Sequence, residues 1–213
     1  MSASAVEYPC DGEPESLLAS ANRLAEQLPG HRVEILGGLI TVAPPPDGPH
    51  GRALTKLMRP FLAAGLDDGE TALIQGIGLW LPGGPQDYAI PDLAVVDADF
   101  DAHRAENHCY DPAVFRLVLE VTSSNWTSDL RHKVVAYAEA KIPVYVILDR
   151  KHGRLHVLTE PGGGAWDNHQ VYAPGQTAVL PGSIGGRVSL DVGALVRAGS
   201  PDTAPRSTGP APG

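Results

Sequence analysis

Two apolar segments, each interrupted by a single acid, constrain this chain more than any other feature. The first reads Pro91-Asp92-Leu93-Ala94-Val95-Val96, and the second Arg116-Leu117-Val118-Leu119-Glu120-Val121. In the second, Phe115, Leu117, Leu119 and Val121 alternate onto one face of a strand, with Arg116, Val118 and Glu120 on the other. A run this apolar is expected to be covered on both faces. An ionised carboxylate there is costly unless it is paired, hydrogen-bonded or bound to a metal. Asp92 opens the preceding strand directly after Pro91, which biases Ile90 toward an extended entry. If the two strands pair, Asp92 and Glu120 converge, and two hard oxygen donors suit Mg²⁺.

A helix after the second strand supplies a cation. Ser128 or Asp129 can cap it, and Leu130, Val134, Tyr137 and Ala138 form its apolar stripe. Asp129 and Lys133 lie four apart and share a face, a spacing that a surface ion pair also explains. Lys133 borders the stripe, so its stem can pack while the ammonium reaches the sheet. Pro143 ends the helix, and Val144–Asp149 follows as a core strand.

Around this centre the pattern predicts a helix over Pro14–Leu28 and a hairpin of Arg32–Leu36 and Leu39–Ala43 about Gly37-Gly38. A second helix is predicted over His50–Ala64, kinked or ended by Pro60. Thr71–Leu81 reads as one glycine-interrupted strand, and Phe100–Pro112 as a polar loop. Gly153–Thr159 reads as a hairpin partner, and Gly162–Gly164 as a flexible loop. Gln170–Ala173, Thr177–Leu180 and Arg187–Leu190 are short strands, and Asp191 caps a last helix through Val196. Glu34, His50 and Asp129 are accessory candidates for the site. A hairpin glutamate more often faces water, and a histidine near a helix start is more often a cap or surface residue.

The 213 residues suffice for one domain, expected over 13–198, with a flexible stretch over 1–12 and a disordered Pro/Gly-rich tail over 199–213. The net charge of −9 argues against broad electrostatic capture of nucleic acid but leaves room for a local or metal-dependent site. Cys10 and Cys109 are too few for a disulfide framework and read as free thiols. With no signal segment and no membrane-length apolar run, the expected setting is the cytoplasm, without membrane association.

Two acids, a strand pair and a lysine together suit metal-assisted phosphodiester hydrolysis. The chain also resembles the Uma-two family of restriction endonucleases over Arg32 to Leu195. The resemblance rests on Val33–Leu39, the Pro-rich turn before His50, Pro91-Asp92 and Leu119–Ser123. It continues through Asp129, Lys133 and Tyr137 to Pro143–Asp149. It implies the PD-(D/E)xK nuclease fold, an α/β (α+β) arrangement with a restriction-endonuclease-like mixed β-sheet flanked by helices. It further implies that Asp92 and Glu120 are ligands to Mg²⁺ or Mn²⁺, joined by the backbone carbonyl of Val121, with DNA as substrate. In the general motif a lysine sits two residues beyond the glutamate, where this chain has Thr122. The resemblance moves that role to Lys133.

Three readings stand at this point. The first is an Mg²⁺-dependent DNA endonuclease using Asp92, Glu120 and Lys133. The second is a nuclease fold that binds or regulates without cutting. In the third, Glu120 is merely structural, satisfied by Arg116 or Lys133. Enzymes that cut both strands often work as symmetric dimers, so a homodimer through the strands after Gly153 is an accompanying expectation.

Overall fold

The computed structural model describes residues 15–122 and 129–201. The predicted N-terminal stretch 1–12, the predicted 199–213 tail from 202 onward, Pro14, Cys10 and the Ser128 cap lie outside the described residues, while Gly199, expected in that tail, ends the last helix.

Helix α1 (Leu17–Gln27) is capped by Ser16, whose hydroxyl accepts from the Ala19 N–H. Strands β1 (Arg32–Leu36) and β2 (Leu39–Ala43) form the expected hairpin, in register from Arg32↔Ala43 to Leu36↔Leu39. Helix α2 (Gly48–Ala63) begins two residues earlier than the sequence suggested. Asp47 is its cap, and the helix runs through Pro60 to Ala63. The predicted strand over Thr71–Leu81 is instead two strands in different sheets, β3 (Thr71–Ile74) and β4 (Gly78–Trp80). Gly76, with φ of 62°, lies between them.

Short β5 (Tyr88–Ala89) leads into β6 (Leu93–Asp97). The predicted polar loop over Phe100–Pro112 contains a 3₁₀ turn and a short strand β7 (Cys109–Tyr110), with the Cys109 side chain buried. Burial pushes that thiol up to about 12. Strand β8 (Phe115–Val121), helix α3 (Asp129–Glu139) and strand β9 (Val144–Asp149) follow.

Strands β10 (Arg154–Gly162) and β11 (Ala165–Tyr172) are longer than anticipated. They meet through Gly163-Gly164, at φ of 58° and 80°, so the expected flexible loop is a tight two-residue turn. Strands β12 (Thr177–Val179) and β13 (Ser189–Asp191) pair, and Asp191 caps α4 (Val192–Gly199) through the Ala194 N–H.

A six-stranded sheet, β11-β10-β9-β8-β6-β3, forms the centre. All its pairs are antiparallel except β8 and β9, which run parallel with α3 as the crossover between them. One face packs on α2, α4 and the β12–β13 pair, through residues such as Leu57, Phe61, Leu119, Val146 and Leu195. The other face meets α3 and a five-stranded sheet, β2-β1-β5-β4-β7, through Val118, Tyr145, Tyr137, Leu36 and Leu79. Helix α1 closes the outer side of the smaller sheet over Val33 and Ile35. The chain is thus a mixed α/β fold whose sheets are flanked by four α-helices among the described residues. No helix there is long and apolar enough to cross a membrane.

Candidate active site

The alternation that buries Leu117, Leu119 and Val121 against α2 turns Glu120 the other way, toward α3. Strand β6 pairs with β8 at Leu93↔Leu119, which sets Asp92 beside Glu120 at the strand's entry. Asp92 is tied there by the paired strand, since the Val121 N–H of β8 donates to Asp92 Oδ2 at 2.7 Å. Strand β1 contributes Arg32 and Glu34 from the same face as Leu36, so both point at the central sheet.

The charged groups form one connected set. Lys133 Nζ donates to Glu120 Oε1 at 2.7 Å and stands 2.8 Å from Glu34 Oε1. Tyr137, one helical turn on, donates its hydroxyl to the same Glu120 oxygen at 3.1 Å. Glu34 Oε1 also accepts the Ile90 N–H at 2.6 Å. Arg32 Nη1 donates to Asp92 Oδ1 at 2.7 Å and to the Ile90 carbonyl at 2.8 Å, while its Nη2 lies 3.8 Å from Glu120 Oε2. His50 Nε2 faces Asp92 Oδ2 at 3.3 Å. Three carboxylates therefore share two permanent cations and one imidazole, in a setting where Glu34, Asp92, Glu120, His50 and Lys133 are all buried.

Burial and charge pull these groups in opposite directions. Burial raises Asp92, but the His50 hydrogen bond, the Arg32 charge and the Val121 N–H outweigh it and hold the carboxyl at about 2. For Glu120, burial dominates and lifts the carboxyl above its usual range against the pull of Lys133 and Arg32. Burial works against the Lys133 ammonium, yet Glu120 and Glu34 more than compensate and raise it. Burial pushes the Tyr137 hydroxyl well up, so at neutral pH it stays a neutral donor.

The structure therefore brings together Asp92, Glu120, Lys133, Glu34 and His50. Glu34 does not face water and His50 is not on the surface, contrary to the commoner expectation for each. Val121 takes part through its N–H. The side chain of Asp129 lies outside the described residues. Arg116, one expected partner of Glu120, pairs with Asp97 instead. Thr122 is buried at the strand end, where its hydroxyl accepts from the Arg150 N–H and donates to the Leu148 carbonyl. It ties β8 to β9 and carries no charge toward the acids. Sequence reasoning missed Arg32 and the Tyr137 hydroxyl. Arg32 and Glu34 alternate on one strand face, and Lys133 and Tyr137 lie one turn apart on a helix, so both pairings were present as spacing.

A cation already lies between the two strand acids, in the form of the Arg32 guanidinium. Among the described residues no three His, Cys, Asp or Glu groups form a ready cage for a metal. Mg²⁺ is nevertheless often held by only one or two carboxylates, with waters and substrate phosphate completing the shell. The donor set of Asp92 and Glu120 fits that requirement, given that a positive charge is already accommodated between them. Beside them a cleft of about 440 Å³ opens past Arg32, His50, Thr55, Gln75, Ile90 and Asp92.

Residues 19–193 match the family Uma2, described as "Putative restriction endonuclease". Among solved structures, the chain is similar to a putative nuclease belonging to DUF820 from Anabaena variabilis. The two are 14% identical with a TM-score of 0.58, over 78% of this chain and 90% of that one. No curated protein matches.

Proposed function

The chain belongs to the Uma2 family, and from its site we propose that it is a divalent-metal-dependent endonuclease that hydrolyses phosphodiester bonds in DNA. The observation that carries this reading is the convergence of Asp92, just before β6, and Glu120, on β8, on one cation position, with Lys133 in the same cluster.

Asp92 and Glu120 would hold Mg²⁺, with Mn²⁺ as a substitute. Such an ion supplies charge to the phosphate and acidifies a water that it binds. The chain's own groups do the rest. The Val121 N–H and His50 fix the Asp92 carboxylate, while Tyr137 and Lys133 fix Glu120. Lys133, held on its other side by Glu34, keeps its ammonium beside the acids, where it can orient the attacking water and offset charge growing on the phosphate. The adjoining cleft, lined in part by Arg32, His50 and Asp92, gives the scissile group a route to that cluster.

Supercoiled plasmid incubated with Mg²⁺ or Mn²⁺ should be nicked. Asp92→Ala and Glu120→Ala variants that keep the wild-type circular dichroism should lose at least about a hundredfold of that rate. If the wild type cuts neither DNA nor RNA with either ion, the proposal fails.

A second reading has its own support: the Arg32 guanidinium already neutralises both acids. A nuclease fold locked in this state would bind nucleic acid without cutting it, which gel shift without cleavage would reveal. We further assign the activity to a single domain over 13–198, a cytoplasmic setting that keeps the thiols reduced, and a homodimer that presents one site to each DNA strand.

A further inference from the structure

Arg32 is the least settled member of the cluster. Lys133 is held by two carboxylates at 2.7 and 2.8 Å and its side chain is 5% exposed. Arg32 has a side chain 26% exposed; its Nη1 is held by Asp92 and the Ile90 carbonyl, but its Nη2 reaches Glu120 only at 3.8 Å. Among the described residues its buried Nε meets no hydrogen-bond partner. A guanidinium built as a permanent brace normally has its donors satisfied. Arg32 also lines the cleft together with Asp92 and His50, so there is space beside the acids for its head to enter.

We propose that Arg32 is a built-in stand-in for the divalent cation: its guanidinium holds Asp92 and Glu120 together in the metal-free protein and competes with the metal for them. The inference rests on the metal-dependent reading above. Two considerations support it. The guanidinium bridges the two carboxylates assigned to the ion, and two cations do not share one pair of carboxylates without mutual repulsion. Of the two cations present, Arg32 is also the one that reaches Glu120 only at 3.8 Å and that lines the open cleft. Lys133 stays in place because moving it would strand both Glu34 and Glu120 as buried charges. Once displaced into the cleft, the planar guanidinium faces the region through which a phosphodiester approaches and can engage it with two parallel N–H donors. Arg32 thus preserves the acid pair before loading and becomes a phosphate ligand after it.

The test is Mn²⁺ affinity, measured by calorimetry on the full chain and independent of cleavage. Arg32→Met keeps an apolar stem and removes the charge, and should bind Mn²⁺ at least about tenfold tighter than wild type. Arg32→Lys retains a charge and should stay within roughly threefold of wild type. Without metal, Arg32→Met should melt below the wild type, and Mn²⁺ should raise its melting temperature by more than it raises that of the wild type. If Arg32→Met does not fold without metal, recovery of its circular dichroism on adding Mn²⁺ supports the proposal, and failure to recover overturns it. A folded Arg32→Met that binds Mn²⁺ no tighter than wild type overturns this inference alone. A wild type and variants that bind no Mn²⁺ at all remove the metal-dependent reading, and this inference with it.

Discussion

Lys133 shows what a buried charge requires. Its ammonium lies in the interior only because Glu34 and Glu120 each stand within hydrogen-bond distance. Removing it leaves two buried carboxylates without their main counter-ion, a change that typically costs about 3–5 kcal/mol. Lys133→Met should lower urea-unfolding stability by roughly that amount, and adding Glu34→Gln should return part of it; a loss under about 1 kcal/mol would show that the network is not what secures α3. Asp92 carries the acid sensitivity. Its carboxyl is held at about 2 in the fold, below its ordinary value, so its ionised form stabilises the native state above the ordinary value. That contribution, about 2 kcal/mol, is lost as pH falls from roughly 4 through 2. Metal-free Asp92→Asn protein should therefore show a shallower fall in stability than wild type over that interval. Glu120 acts in the opposite sense. Its carboxyl is raised, so its ionisation opposes folding as pH rises through the folded value.

Helix α3 turns one face to two tasks. Lys133 and Tyr137 reach Glu120, and the Tyr137 ring packs edge-on against Tyr145 at 4.9 Å between centroids. Trp166 on β11 donates its indole N–H to the Val134 carbonyl at 2.8 Å, fastening the helix to the sheet edge. Tyr137→Phe keeps the ring packing and deletes one hydrogen bond to a charged acceptor. It should cost about 1.5–3 kcal/mol in denaturant titration with an unchanged circular dichroism spectrum. The pairing of β4 with β7 depends on a missing side chain. A Cβ on Gly78 would stand 2.8 Å from Cys109 Sγ and 3.2 Å from the His108 carbonyl oxygen. Gly78→Ala should destabilise by about 1–3 kcal/mol, and pairing it with Cys109→Ala should relieve part of that loss, the backbone contacts at 3.2 Å to Cys109 Cα and the His108 carbonyl remaining.

For the whole molecule, a net charge of −9 sets the terms of DNA binding. On the proposed reading the chain cannot rely on long-range attraction, and a bound ion would supply the local positive charge at the cleft. Fluorescence anisotropy should accordingly detect DNA binding with Mn²⁺ or Ca²⁺ present and little without it; equal affinity in chelator would contradict this. Among the described residues, edge strand β11 pairs only with β10 and is largely exposed, with Val171 half exposed, so the proposed homodimer would use this edge. A homodimer built there should sediment at twice the 22.4 kDa chain mass.

Much of this was legible in the residues because it is local. The hairpin of β1 and β2 follows from two apolar runs about Gly37-Gly38, and β8 and β9 follow from their predominantly apolar runs. Asp92, Glu120 and Lys133 could be singled out because an acid in an apolar strand and a cation bordering a helical stripe are visible in one dimension. Periodicity reports which residues share a face, but not which face of one element meets another. Arg32 meets Asp92 across 60 residues of chain, and Glu34 accepts the Ile90 N–H across 56. Those meetings, like the approach of His50 to Asp92, exist only because a second sheet and helix α2 dock against the central strands. Docking of that kind is governed by long-range packing of apolar surface, which no local pattern encodes.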